Sequence, residues 1–149
     1  MAVVYFQRFP GWAEQVGRAR FWVDNLLCAH SDFRIPDDTV ASAVLLVSEA
    51  ATNAVRYTAS GRGGRFGVTL MIEPRAVTIE VEDEGCPAGG TVPFIRPITP
   101  LAQHGRGMTL IDHLAAAWGP LHHPRTGVTF TLTWDDASAR RAGRAPATA

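Results

Sequence analysis

The arrangement of apolar and polar residues predicts a long helix that begins at Pro36 and ends before Ser60. Apolar residues recur every three or four positions and form a core face: Val40, Val44, Val47, Ala51 and Val55. At about 100° per residue, Glu49, Asn53 and Arg56 fall together on the opposite side, in a stripe about 60° wide. The helix therefore carries one apolar face and one compact polar stripe.

The polar stripe combines a carboxylate, an amide and a guanidinium. Leu45 and Leu46 flank it, so we expect these groups to lie in a partly apolar setting. An amide oxygen can ligate a hard cation, and a guanidinium can bind phosphate oxygens. The same residue types at this spacing are also common on solvated helix faces. The stripe by itself therefore leaves two interpretations open, a phosphate-and-metal site and an ordinary exposed surface.

The remaining apolar pattern predicts strands and helices on both sides of this helix. In chain order they are a strand from Val3 to near Pro10, a helix from about Gly11 to Leu27, an antiparallel hairpin of Phe66–Ile72 and Ala76–Glu82, a helix from Gly105 to near Trp118, a short strand beginning at Leu121, and a strand over Val128–Trp134. The glycine-rich residues 60–64 predict a flexible turn, and the proline-rich residues 87–104 predict a long irregular loop.

Composition narrows the function classes. The 149 residues carry 14 basic and 14 acidic side chains with no basic cluster, which gives no support for nucleic-acid binding. Every basic residue is Arg, and the absence of Lys excludes a P-loop and Schiff-base chemistry. Cys28 and Cys86 have no metal-binding spacing, and no apolar run is long enough to span a membrane. We expect a cytoplasmic protein with one domain over residues 1–136 and a disordered tail over residues 137–149.

Two later stretches carry candidate chemistry. Asp83 and Gly85 stand where a strand becomes a loop: a carboxylate there can accept a hydrogen bond from an exocyclic amine such as that of adenine, although such a pair more often marks a turn. Gly105 and Gly107 open a helix, whose free amides form an anion site, unless they only punctuate the loop. Thr129 could lie beside Asp83 if the two strands are neighbours.

Taken in order, four motifs resemble those of the GHKL (Bergerat-fold) ATP-binding superfamily. They are Glu49-x-x-x-Asn53, Asp83-x-Gly85, Gly105-x-Gly107 and Gly127-x-Thr129, matching the superfamily's N, G1, G2 and final motifs. The sequences of residues 48–56 and 105–111 most resemble those of the small bacterial branch of anti-sigma-factor serine/threonine kinases. The resemblance implies a two-layer α/β sandwich: a mixed, mainly antiparallel sheet with helices on one face, and ATP held between the layers under a lid.

The resemblance also implies roles for the candidate residues. Asn53 would ligate Mg²⁺, and Glu49 would act as general base toward a serine hydroxyl or water. Asp83 would bind the adenine amine with Gly85 beside the ring, and Thr129 would support Asp83. The residues implied along the phosphates are Gly105, Arg106, Gly107 and Met108, with Arg56 near them.

The implied activity is that of a protein kinase which phosphorylates a small anti-anti-sigma protein of STAS type and sequesters a sigma factor, as a possible homodimer. Glu49 favours this hypothesis, since pure binding needs no base. The alternative is a non-catalytic interaction switch that responds to ATP or ADP, which Pro87 favours because it replaces the second Gly of the G1 motif. A detached histidine-kinase catalytic domain and a DNA-remodelling ATPase are disfavoured, because the chain begins at the first strand and no further domains are expected.

Overall fold

The β-hairpin predicted from alternating residues forms the centre of the sheet. In the computed structural model, which describes residues 1–86 and 114–142, strand β2 (Arg65–Glu73) pairs antiparallel with β3 (Ala76–Asp83). Val77 lies opposite Ile72 at the closed end of the hairpin. The hairpin prediction is confirmed in both its extent and its direction.

Three further strands extend this hairpin on its two sides. Strand β1 (Val3–Pro10) pairs with β2, and β5 (Thr126–Thr133) pairs with β3 and with the short strand β4 (Ala117–Pro120). The strand order in the described part of the chain is β1-β2-β3-β5-β4, and each of these pairs is antiparallel. Strands β1 and β4 are therefore the edges of the sheet.

Two long helices cover one face of the sheet. Helix α1 (Ala13–Ala29) packs against α2 (Asp37–Tyr57), and α2 packs on strands β2, β3 and β5. Helices on one face of a mainly antiparallel sheet confirm the predicted two-layer sandwich. Short 3₁₀ turns follow the helices at Ser31–Phe33 and Ala59–Gly61.

Helix α2 is buried over a wider arc than its valines predict. Its buried side chains are Val40, Ala43, Leu46, Val47, Ala50, Ala51, Asn53 and Ala54. Val44 and Val55, which the sequence assigns to the core face, lie at its margin and are partly buried. The arc is wide because α2 is covered from two sides, by the sheet and by α1. Several of the buried residues are alanines, whose small side chains allow close packing. A pattern read from the large apolar residues alone does not predict these positions.

The third predicted helix does not extend to Trp118, so the predicted position of its C-terminal end is wrong. Leu114 is helical, but Trp118 and Gly119 belong to β4, where Trp118 pairs with Phe130 of β5. The predicted short strand at Leu121 is likewise displaced, because Leu121 follows β4. Helical periodicity continues through this stretch, but pairing with β5 and packing of Trp118 on the core outweigh local preference.

The chain does not become irregular directly after Asp136. A short helix, α3 (Asp136–Ala142), begins the segment for which the sequence predicts a disordered tail, and residues 143–149 lie outside the described residues. The side chain of Asp135 accepts a hydrogen bond from Ser138 N at 2.6 Å, as a helix N-cap does, and Ala139 is buried. No helix within residues 1–86 and 114–142 is long and apolar enough to cross a membrane.

Candidate functional site

The polar stripe of α2 is buried in a graded way. Asn53 is buried, with 8% of its surface exposed, Glu49 is half-buried and Arg56 is exposed. At about 100° per residue, Asn53 lies only about 20° from the buried Leu46, while Glu49 and Arg56 lie progressively further from the core. The stripe therefore begins at the edge of the core and ends in solvent, instead of lying opposite the core.

Asn53 carries an unusual polar atom. Its side-chain oxygen Oδ1 is buried and has no hydrogen-bond partner among the residues that the structure describes. A buried acceptor without a partner is costly, and native structures keep few of them. An amide oxygen is also a good ligand for a hard cation such as Mg²⁺. The chemistry of this atom would therefore fit a metal ion.

Glu49 lies one helical turn before Asn53. Burial raises the pKa of its carboxyl group above the ordinary value. A carboxylate with a raised pKa binds a proton more tightly, so it is better suited to accept one from a hydroxyl group. Glu49 and Asn53 together can supply a base and a metal ligand from a single rigid helix.

A metal at this point would need ligands beyond the side chains that the structure describes. Within the described ranges, no group of three or more His, Cys, Asp or Glu side chains could hold a metal ion. Mg²⁺ is commonly held by one or two protein groups together with substrate phosphates and water. The donor set at Asn53 fits a cation that arrives with a phosphate ligand.

Asp83 ends strand β3 in a fixed orientation. Its Oδ1 accepts a hydrogen bond from Gly85 N at 2.8 Å, and Gly85 has a φ of 76°, in the left-handed region that favours glycine. None of the described residues donates a hydrogen bond to the other carboxylate oxygen. One oxygen of Asp83 therefore holds the loop, while the other has no donor among the described residues.

The residue beside Asp83 is Thr126, and the prediction for Thr129 is wrong. Strands β3 and β5 are neighbours as predicted, but Asp83 pairs with Thr126 whereas Thr129 pairs with Glu80. Because Glu80 stands three residues before Asp83, Thr129 lies on the opposite face of the sheet. Thr126 Oγ1 donates a hydrogen bond to the backbone carbonyl of Asp83 at 2.9 Å. The sequence does show a second threonine next to Gly127, namely Thr126. Only the register of β3 and β5 determines which of the two threonines lies beside Asp83.

The end of α2 is joined to the Asp83 loop. Ala59 N donates to the carbonyl oxygen of Gly85 at 2.9 Å, and Glu84 N donates to Ser60 Oγ at 3.1 Å. Ser60, the first residue of the predicted flexible turn, is fully buried. These bonds bring the helix of Glu49 and Asn53 and the loop of Asp83 together, although they are far apart in sequence.

The phosphate-side prediction lies outside the described residues. Gly105, Arg106, Gly107 and Met108, together with Pro87, fall within residues 87–113. Arg56 is described but exposed, on the solvent side of Glu49. The described half of the site therefore consists of the α2 pair, Glu49 and Asn53, and the strand-end group, Asp83, Gly85 and Thr126.

Comparison with known proteins agrees with this arrangement. The model of the histidine kinase-like ATPase domain family matches residues 9–134, most of the chain and all the residues of the site. The chain belongs to this family. Membership in the histidine kinase-like ATPase domain family implies that the protein binds ATP, and it confirms the resemblance to the GHKL superfamily. No curated protein matches the sequence.

Proposed function

We propose that the protein is an ATP-dependent serine/threonine kinase of the anti-sigma-factor type. Its substrate is a serine of a small anti-anti-sigma protein, and it regulates a sigma factor that it binds. The proposal goes beyond ATP binding, and one observation supports it. A half-buried carboxylate, Glu49, lies one turn of α2 before Asn53, a buried amide whose oxygen has no partner among the described residues.

Each of these residues has a distinct task in phosphate transfer. Asn53 holds the Mg²⁺ that accompanies ATP, and this ion supplies neutralising charge at the phosphates. Glu49 accepts the proton that the serine hydroxyl loses as its oxygen bonds to the γ-phosphorus and ADP leaves. Burial, which raises the pKa of Glu49, supports its role as the proton acceptor.

Asp83 determines which nucleotide is used. Adenine carries an amine where guanine carries a carbonyl oxygen, so a carboxylate facing this position attracts the first and repels the second. The Gly85 bond to Asp83 Oδ1 and the Thr126 bond to the Asp83 carbonyl support this role because they fix the group in place.

The branch and the partners are supported by sequence alone. The residues around Glu49 and Asn53, together with residues 105–111, resemble the anti-sigma kinases more closely than other GHKL proteins. An anti-anti-sigma protein of STAS type is the phosphoacceptor of that branch, and a sigma factor is its bound partner. The two partners, like the kinase reaction, are therefore part of the proposal.

A transfer assay with labelled ATP tests the proposal. The purified protein is incubated with anti-anti-sigma proteins encoded near it, and the phosphorylated residue is identified. The proposal expects acid-stable phosphoserine on the partner and no label on the protein itself. Acid-labile phosphohistidine would point to histidine-kinase chemistry instead. Complex formation that depends on ATP or ADP without any transfer would favour the interaction switch.

A further inference from the structure

Two hydroxyl groups connect the end of α2 to the loop of Asp83. Thr58 Oγ1 donates a hydrogen bond to the carbonyl of Ala54 at 2.6 Å and accepts one from Ser60 N at 3.1 Å. Ser60 Oγ in turn accepts the bond from Glu84 N at 3.1 Å. We call this chain of bonds, through Thr58 and Ser60, the hydroxyl bridge. It leads from the last turn of the helix that carries Asn53 to the residue after Asp83.

The two hydroxyl residues of the bridge are buried, while its bond to Glu84 N is only partly buried. Ser60 is 0% exposed and Thr58 is 5% exposed. The bond from Ala59 N to the Gly85 carbonyl, at 2.9 Å, runs beside it. A buried polar group that loses its hydrogen-bond partner is costly. The buried hydroxyl groups of Thr58 and Ser60 therefore favour keeping their bonds in the folded protein.

The turn that carries the bridge is also fixed from its other sides. A Cβ atom on Gly61 would lie 1.8 Å from the carbonyl oxygen of Val55, and one on Gly11 would lie 1.7 Å from that of Ser60. These glycines allow the turn to contact the end of α2 and the β1–α1 junction directly. The start of the turn, where Ser60 lies, is therefore packed directly against two neighbouring backbone segments, while residues 61–63 are exposed.

We propose that Thr58 and Ser60 are positioning residues for adenine recognition. Ser60 acts through the Glu84 amide, and Thr58 acts by holding Ser60 N, beside the backbone bond from Ala59 N to the Gly85 carbonyl. Without them, the Asp83 loop would remain attached to β5 through Thr126 and to the turn through Ala59 N, but it would lose the bond that holds Glu84, the residue next to Asp83. The carboxylate would then meet the adenine amine less often. The proposal rests on ATP binding and on the adenine role of Asp83.

The test separates an effect on adenine from a general loss of order. Ser60→Ala and Thr58→Val each remove one hydroxyl group of the bridge. Binding is measured for ATP and for purine ribonucleoside triphosphate, which lacks the exocyclic amine. Both variants should bind ATP roughly three- to tenfold more weakly, the size expected for one hydrogen bond, and the amine-free nucleotide less than twofold more weakly.

A matched control comes from β3, the strand that ends at Asp83. Thr78 on β3 shares a hydrogen bond with Thr131 of β5 at 3.1 Å, on the face of the sheet away from the helices. Thr78→Val removes a comparable hydroxyl bond without touching the turn, so it should leave the ratio of the two affinities unchanged. Thermal unfolding of all three variants establishes that each is folded at the temperature of the binding measurement.

Several results would overturn the proposal. Equal weakening for both nucleotides would mean that the bridge only maintains general order, and unchanged ATP affinity would mean that it does not act on the site. A changed ratio in Thr78→Val would remove its specificity. No phosphoacceptor is present in these measurements, so a failure of the kinase proposal would leave them unaffected.

Discussion

Thr126 Oγ1 donates a hydrogen bond to the backbone carbonyl of Asp83, its cross-strand partner, at 2.9 Å. This bond lies at the point where β3 stops pairing with β5 and the loop after Asp83 begins. The side chain thus supports Asp83 through the backbone, while the carboxylate itself is held by Gly85 N. The register of the two strands therefore determines the position of Asp83, the residue proposed to bind adenine.

Replacement of Thr126 by Val should weaken ATP binding. The change removes the hydrogen bond to Asp83 and keeps the shape of the side chain, so we expect roughly a two- to tenfold loss of affinity. Thr129→Val is the matched control, because Thr129 lies on the other face of the sheet opposite Glu80. Titration calorimetry of both variants checks this. A larger loss from Thr129→Val would restore the interpretation based on sequence.

Asp83→Ala should remove the preference for adenine. A hydrogen bond to a charged group contributes about 1.5–3 kcal/mol, so ATP affinity should fall roughly tenfold or more. Guanine nucleotides should bind the variant no more weakly than the unaltered protein, because a repulsive carboxylate is gone. Glu82→Ala, which removes a carboxylate bound to Arg125 at 3.0 Å on the outer face, should alter neither affinity. Equal ATP affinities for the Asp83 variant and the unaltered protein would exclude this role.

Asn53→Ala should abolish the Mg²⁺ dependence of nucleotide binding with little loss of stability. The buried Oδ1 has no partner among the described residues, so its removal relieves an unsatisfied acceptor instead of breaking a bond. We expect a change within about 1 kcal/mol in the free energy of unfolding. Denaturant unfolding and ATP titration with and without Mg²⁺ provide the measurements. Strong destabilisation would assign Asn53 to the core and not to a metal site.

The raised pKa of Glu49 predicts a pH dependence of stability. The folded state disfavours the charged carboxylate, so the unfolded state binds fewer protons once the pH exceeds the ordinary value of 4.5. Stability contributed by protonated Glu49 is complete below that value and is lost as the pH rises. Glu49→Gln cannot ionise, so its stability relative to the unaltered protein should be higher at pH 7 than at pH 4. Unfolding at the two pH values measures the difference, and a difference of opposite sign would contradict the burial effect.

Most of the fold is predictable from the sequence because alternation and helical period are local properties. The β2–β3 hairpin and the extents of β1 and α2 follow from them with shifts of one or two residues. The path around Trp118 does not, because there the chain follows pairing with β5, and no local pattern encodes that partner. The N-cap at Asp135 was a local signal that the composition of the tail concealed.

The candidate site was predictable in its residue types but not in its connections. Glu49, Asn53 and Asp83 stand out by spacing and by position at element ends. Thr126 and Ser60 do not, because their roles depend on strand register and on the burial of a turn. Sequence spacing identifies the groups that touch a ligand more readily than the groups that hold them in place.

Glu49→Gln distinguishes a kinase from a nucleotide-dependent switch. Glutamine keeps the size and polarity of the side chain but cannot accept a proton, and a general base contributes roughly 10²–10⁴ in rate. If the protein is a kinase, Glu49→Gln should therefore bind ATP about as well as the unaltered protein. Its rate of phosphate transfer to the serine substrate should fall by that factor. Transfer from labelled ATP and nucleotide affinity are measured in parallel.

The matched control is Glu14→Gln, which neutralises an exposed carboxylate in the first turn of α1 and should leave transfer unchanged. If the protein is a switch, the unaltered chain transfers no phosphate, and Glu49→Gln binds its partner protein as before. If Glu49→Gln transfers phosphate at the normal rate, Glu49 has no part in the reaction. The polar stripe of α2 would then bind metal and phosphate without providing a base.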